Sequence, residues 1–418
     1  MSDQMNEQSD VTVLGAGIIG VCCALHLQER GLSVTLVDRL EPGEATSYGN
    51  AGVISPWSCV PQSMPGLWKS VPKWLLDPQG PVRARLSILP RLLPWSMAFF
   101  RNAQIDRLQS IADTMAYLVS DNAVAYKALL QGTGHEDLVR DSWNVSVFRG
   151  AATPNLDDLA WKLRVDRGAP VEVVNRGELK EIEPDLSDEY HSAVIFKDQA
   201  RAYNPSKICK VLAEKAIKNG ARFVIGDVKE IRPTDSGGFD LMLDGQTVPV
   251  NKLVLCGGIW SDKLLRKLSI KLPLMAERGY HLEFQNPGVS LNNSLLDVSQ
   301  KFIVSSMEGG LRSAGTAEFA HVDAPPDYRR ADILEPLTKQ MLPGLNTSEA
   351  KRWMGIRPSF PDNLPVIDRM PGFENLFGAF GHSHYGLGMA PGTGRVLAQI
   401  VTDTSPNAGL EGVQVSRF

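Results

Sequence analysis

The chain has 418 residues, more than one domain of ordinary size, so two domains are expected. Hydrophobic residues make up 43% and charged residues 22%, the balance of a globular soluble protein, and the formal net charge of −4 gives no electrostatic case for a nucleic-acid partner. Five cysteines with no C-x-x-C pair and no metal-ligand spacing argue against a metal site and for buried thiols in a reducing compartment.

The first ten residues, MSDQMNEQSD, are polar and acidic and do not read as a signal peptide, so a cytoplasmic location is expected. The apolar run Val11-Thr12-Val13-Leu14 then reads as a buried parallel strand. Gly15-Ala16-Gly17-Ile18-Ile19-Gly20 forms a G-x-G-x-x-G turn into a helix that stops at Gly31, and a second strand ends in Asp38. Gly15 permits the tight turn, Gly17 lets the backbone approach a pyrophosphate, and Gly20 lets helix and strand pack closely. The free N–H groups of the helix start suit phosphates, and Asp38 suits an adenosine ribose. The motif fits FAD and NAD(H) equally.

From Arg39 to Trp57 the chain is rich in Gly, Pro and Ser, too irregular for a helix, and reads as a working loop. Thr46 and Ser47 are expected to cap a helix, and Asn50-Ala51-Gly52 to let a flat ligand lie on the main chain. Residues 64–107 carry Trp68, Trp74, Trp95, Phe99, Phe100 and several arginines. The apolar run Leu86 to Phe100, interrupted by Pro90, Arg91 and Pro94, is shorter than the ~20 residues of a spanning helix. It fits a helical part of a substrate domain, or a surface that touches lipid and would place the protein on the inner face of the cell membrane.

A long amphipathic helix is expected over Ile105 to Leu130, strands over Ser142–Phe148 and Ala193–Phe196, and a charged surface segment over Glu178–Pro184. Asn204-Pro205 caps a helix that returns to the sheet through Arg222–Ile225. Hairpins fall at Gly237-Gly238 and Asp244-Gly245. The strand ending in Cys256-Gly257-Gly258 before Trp260 offers a second close backbone approach. Tyr280–Phe284, Lys301–Ser305 and Leu311–Gly315 suggest an antiparallel sheet, followed by a helix over Ala331–Met341.

The last third carries Trp353-Met354-Gly355-Ile356-Arg357-Pro358 and then Pro361-Asp362-Asn363-Leu364-Pro365-Val366-Ile367. These resemble the W-x-G-x-R-P…D-x-x-P-x-I signature of the D-amino-acid oxidase superfamily. Gly378 to Leu387, followed by Pro391-Gly392-Thr393-Gly394, resembles that superfamily's closing strand, flavin loop and final helix. Asn50 to Pro56 is similar to the N-A-G-x-I-S-P loop of bacterial D-amino-acid dehydrogenases. Gly388, where several relatives have Thr, and the His384-Tyr385 pair depart from the pattern on the substrate side.

The resemblance implies an α/β protein. A glutathione-reductase-type, Rossmann-like FAD domain would comprise 1–58, 200–265 and 350–418. An α+β substrate domain with a mainly antiparallel sheet would comprise 59–199 and 266–349. It implies non-covalent FAD, since no cysteine lies near Lys301–Gly315. FAD contacts are expected from Gly15, Gly17, Ile18, Ile19, Gly20, Asp38, Arg39, Thr46, Ser47, Asn50, Ala51, Gly52, Val53, Ile54, Val228, Cys256, Gly257, Trp260, Gly355, Arg357, Gly381, His382, Gly386 and Leu387.

Arg357 is expected to bind a substrate carboxylate, the alternative being that it only braces its loop, and Arg278 is a second candidate. Tyr280, His281, His384 and Tyr385 are candidates for the pocket wall. A final helix starting near Ala390-Pro391 would aim its positive end at the flavin. The leading expectation is a D-amino-acid dehydrogenase passing electrons to a quinone or another acceptor. The alternatives are a hydroxyproline-type or other secondary-amine dehydrogenase, an oxidase, an NAD-dependent enzyme, and a non-catalytic flavin subunit.

Overall fold

The structure is a computed structural model and describes residues 9–150, 153–404 and 410–418. A six-stranded sheet runs in the order Val366–Arg369, Leu376–Phe380, Lys252–Leu255, Val11–Leu14, Val34–Asp38, Arg222–Ile225. All of its neighbours are parallel except the first pair. Alternation along the strands divides the side chains between two layers. Val11, Val13, Leu36 and Val254 face a helical layer, while Leu14, Val37, Leu253 and Leu255 face the antiparallel meander of Val228–Pro233, Phe239–Leu243 and Gln246–Val250.

The helical layer pairs Ile18–Glu29 with the last long helix, Gly386–Val401. Gly394 makes that approach possible, because a Cβ there would lie 2.7 Å from the Cys22 carbonyl oxygen. The second large sheet orders Ala350–Ser359, Met275–Phe284, Gly310–Phe319, Phe302–Met307, Ser294–Asp297, Val139–Arg149, Tyr190–Ala202 and Val53–Ile54. It is mainly antiparallel, as the pattern of short strands suggests.

Four expectations need correction. The helix expected over Ile105–Leu130 is two helices, Ile105–Val119 and Asn122–Leu130. The break lets the buried Asn122 amide donate to the carbonyls of Ser55 and Gly388. Glu178–Pro184 is not all surface: Arg176–Ile182 is a helix capped by Asn175, with Glu178 returning a hydrogen bond to the cap, and Leu179 and Glu183 are buried. Ala331–Met341 divides into Arg329–Asp332 and Leu334–Met341.

The last helix begins at Gly386, a turn before Pro391. A proline inside a helix leaves the carbonyl four residues back without its N–H partner. Here that carbonyl belongs to Leu387, and the Tyr126 hydroxyl donates to it at 2.7 Å. Among the described residues no helix is long and apolar enough to cross a membrane.

Candidate active site

A cavity of about 1270 Å³ runs from the glycine turn, along the 45–53 loop, to the helix Leu89–Arg101. At the first end, a Cβ on Gly15 would lie 2.5 Å from the Cys256 carbonyl oxygen, and one on Gly20 1.8 Å from that of Gly15. Both crossings need glycine, and Gly15 also has φ +118°. Gly17 precedes the helix with no side-chain cap of its own. Asp38 stays beside the turn: its Oδ2 accepts from the Ala16 N–H at 2.7 Å and its Oδ1 from Leu40. Next to it the Arg39 guanidinium stacks on Trp260 at 4.1 Å, a flat platform in the wall.

The 45–53 loop is sewn down from several directions. Ser47 accepts from the Ile18 N–H at 3.0 Å, so it caps the first helix, and Thr46 donates to the Ile356 carbonyl at 2.9 Å. Neither caps a helix of its own, because residues 46–49 form turns. Buried Arg312 donates to the carbonyls of Tyr48 and Asn50 at 2.9 and 2.8 Å, and its guanidinium is held by Glu283 at 2.6 Å. His281 lies under Gly49 and stacks on Trp353 at 4.9 Å. Gly20, Gly52 and Ile54 stay behind this wall, whereas the other expected cofactor positions line the cavity.

Arg312→Ala is expected to reduce flavin retention, because the loop loses two donors and Glu283 is left buried without its partner. The lost pair corresponds to about 3 kcal/mol of stability. Arg312→Met with Glu283→Leu should recover the stability but not the retention. The ratio of flavin to protein absorbance after purification, read beside the melting temperature, separates the two effects.

At the other end the register of two strands builds the chemistry. Glu277 is opposite Arg357, Gly279 opposite Gly355, and His281 opposite Trp353. Residues two apart share a face, so these pairs sit together. Glu277 Oε1 accepts from Arg357 Nη1 at 3.1 Å and lies 3.0 Å from His384 Nε2. Its Oε2 accepts from the Ser359 hydroxyl at 2.8 Å. The guanidinium lies across Gly279, where a Cβ would come within 2.2 Å of Nη2.

Burial alone would raise the pKa of Glu277, but His384, Arg357 and Ser359 hold it well below the usual carboxylate range. Burial and then Arg357 depress His384, so it is neutral at pH 7 although Glu277 opposes the shift. His382, also buried, pairs with the Thr393 hydroxyl at 3.0 Å, and Tyr385 donates to the Val60 carbonyl.

Two candidates lie outside the cavity lining, Arg278 and His281, the latter beneath Gly49. Arg278, on the opposite face from Glu277, donates to the carbonyls of His321, Ala324 and Pro325 and braces that loop. Tyr280 does line the cavity, with its hydroxyl donating to Glu318 at 2.5 Å and accepting from Asp327 N–H. The sequence reading missed Glu277, Gly279, Ser359 and Arg312. Period-two alternation in Glu277-Arg278-Gly279-Tyr280-His281 was the available signal, since it places Glu277 and Arg278 on opposite faces.

Residues 10–400 match the family model described as DAO, FAD dependent oxidoreductase. The chain belongs to this family. It is also 33% identical over 422 residues, 99% of this chain and 100% of the relative, to a D-amino-acid oxidase of Bradyrhizobium diazoefficiens. Its fold is similar to that of glycine oxidase from Geobacillus kaustophilus (TM-score 0.74, 20% identity, covering 98% of this chain and 99% of that one). It is also similar to that of L-proline dehydrogenase from P. horikoshii (TM-score 0.75, 16% identity, covering 99% and 98%). As a member of this family the protein uses FAD. The cavity's extent, its glycine crossings and the Arg39–Trp260 platform fit that cofactor.

Proposed function

We propose that the protein oxidises a D-amino acid to an imine, which water converts to a keto acid and ammonium, and passes the electrons to a quinone or another acceptor. The observation that carries this reading is Arg357, held by Glu277 over Gly279 with its guanidinium in the cavity wall. The name of the Bradyrhizobium relative supports the choice of amino acid. FAD, when bound, supplies the acceptor for the α-hydrogen as hydride.

The chain supplies orientation. Arg357 would hold the substrate carboxylate with its planar donors. Glu277 fixes the orientation of the guanidinium. Neutral His384 does not repel a substrate ammonium group, and no side chain has to act as a strong base once that amine is neutral. The start of the Gly386–Val401 helix lines the same end, and its dipole favours negative charge there. Leu92, Trp95 and Phe99 close it against water, with the Trp95 indole tied to the Ser359 carbonyl at 3.1 Å. The cysteines are all buried and unpaired, which suits the reducing cytoplasm to which we assign the enzyme.

Anaerobic mixing of the flavin-loaded protein with D- and L-amino acids, hydroxyproline isomers and sarcosine tests the proposal. Bleaching of the flavin band by D-amino acids alone is expected. Bleaching by cyclic or N-methyl amines alone would move the substrate to the secondary amines. No bleaching by any of them would favour a non-catalytic flavin protein.

A further inference from the structure

The helix Leu89–Arg101 is apolar on two sides. Its inner side, through Leu92, Trp95 and Phe99, is a wall of the cavity. Its outer side carries Pro90, Leu93, Pro94, Met97 and Arg101, spaced three and four residues apart and therefore on one face. Leu93 is 63% exposed and Met97 67%, and Leu86, just before the helix, is 83% exposed. Isolated exposed apolar residues are ordinary, but a continuous stripe of this kind marks a contact surface. Between Asp77 and Asp106 the chain has four arginines and no acidic residue. Arg85 is paired with Glu318, while Arg91 and Arg101 flank the stripe in solvent. The preceding wall segment adds exposed Trp68, Lys69 and Lys73.

We propose that this face docks on an anionic lipid surface, with Leu86, Leu93 and Met97 entering the acyl boundary and Arg91 and Arg101 meeting the headgroups. An apolar stripe with basic flanks matches a negatively charged bilayer in both of its components. A second copy of the chain matches less well, because a two-fold contact would set these arginines against each other without an acid to pair them. The docked face is the back of the cavity wall, so a lipid-dissolved acceptor would meet the protein beside its oxidation site. That last consequence rests on the proposed oxidation, whereas the docking does not.

The experiment is co-sedimentation of the flavin-loaded protein with vesicles of phosphatidylcholine alone or mixed with phosphatidylglycerol. Binding to the mixed vesicles, weakened by added salt, is expected. Leu93→Glu with Met97→Glu, and separately Arg91→Glu with Arg101→Glu, should each lower the partition coefficient about tenfold or more. Flavin content and anaerobic bleaching should stay at the wild-type level in both variants. Absence of binding, or binding that neither variant reduces, would overturn the docking. So would a dimer in solution that Leu93→Glu with Met97→Glu converts to monomer. Vesicle binding by a protein that no amine bleaches would leave the docking standing and remove the proposed oxidation.

Discussion

Arg357→Ala is expected to raise the KM for an amino-acid substrate by about 100-fold or more, with a smaller change in kcat. Two charge-assisted hydrogen bonds to a carboxylate contribute about 3 kcal/mol, and each 1.4 kcal/mol is tenfold in an equilibrium constant. The interaction holds the substrate before and during reaction alike, so its loss falls mainly on KM. An amine of the same side chain but without the carboxylate should be oxidised equally by wild type and variant. Arg357→Lys should recover only part of the affinity, because an ammonium cannot present two parallel donors.

The substitution has a second effect inside the protein. It removes one of the three groups that keep Glu277 ionised, leaving His384 and Ser359. The Glu277 pKa should therefore rise, and the variant should lose stability. Pairing Arg357→Ala with Glu277→Gln should restore stability without restoring KM, the non-additivity expected of partners in contact. Steady-state kinetics of the four proteins check this, and an unchanged KM in Arg357→Ala would remove the carboxylate assignment.

Acidification from pH 7 to pH 5 is expected to destabilise the fold by about 2 kcal/mol net. Two buried histidines remove about 4 kcal/mol, and buried Glu183, raised by burial to about 7, returns about 2 kcal/mol as it takes up a proton. Burial, reinforced by Arg312, lowers His281 to about 3, and burial alone lowers His382 to about 3, from an ordinary value of 6.5. At these two sites the folded state therefore binds protons less readily than the unfolded state. The stabilisation is complete above pH 6.5 and disappears as the pH falls toward 3. At pH 5 each histidine is about 1.5 units below its unfolded pKa, which corresponds to roughly 2 kcal/mol. His281→Phe preserves the stack on Trp353 and should remove about half of the histidine contribution. Urea midpoints at pH 7 and pH 5, followed by flavin fluorescence, measure it. A midpoint unchanged between the two would overturn the prediction. Because His281 lies directly beneath Gly49, flavin release should accompany the loss.

The first 38 residues were legible because their determinants are local. Strand, glycine turn, helix and Asp38 each follow from neighbours in the chain, and the structure places them as the spacing requires. The break at Ser120-Asp121 was not legible, since amphipathic spacing continues through it. It follows from Asn122 reaching Ser55 and Gly388, which are distant in sequence. The start of the last helix was misplaced for a similar reason. Proline favours a first helical turn, but here the Tyr126 hydroxyl takes over the carbonyl that Pro391 cannot reach. Arg357 was legible from its motif, whereas its partner Glu277 required the pairing register of two strands about 80 residues apart.

The anchors of the 45–53 loop also set an order of events during synthesis. Thr46 waits for Ile356, Gly49 for His281, and Tyr48 and Asn50 for Arg312, separations of 310, 232 and more than 260 residues. The first strand likewise lacks one of its neighbours until residue 252 has been made. A nascent chain that already carries the whole glycine turn therefore has no anchored 45–53 loop. FAD capture is therefore expected to wait for residues 312 and 356, and a chain terminated before them is expected to be apoprotein rather than a smaller flavoprotein.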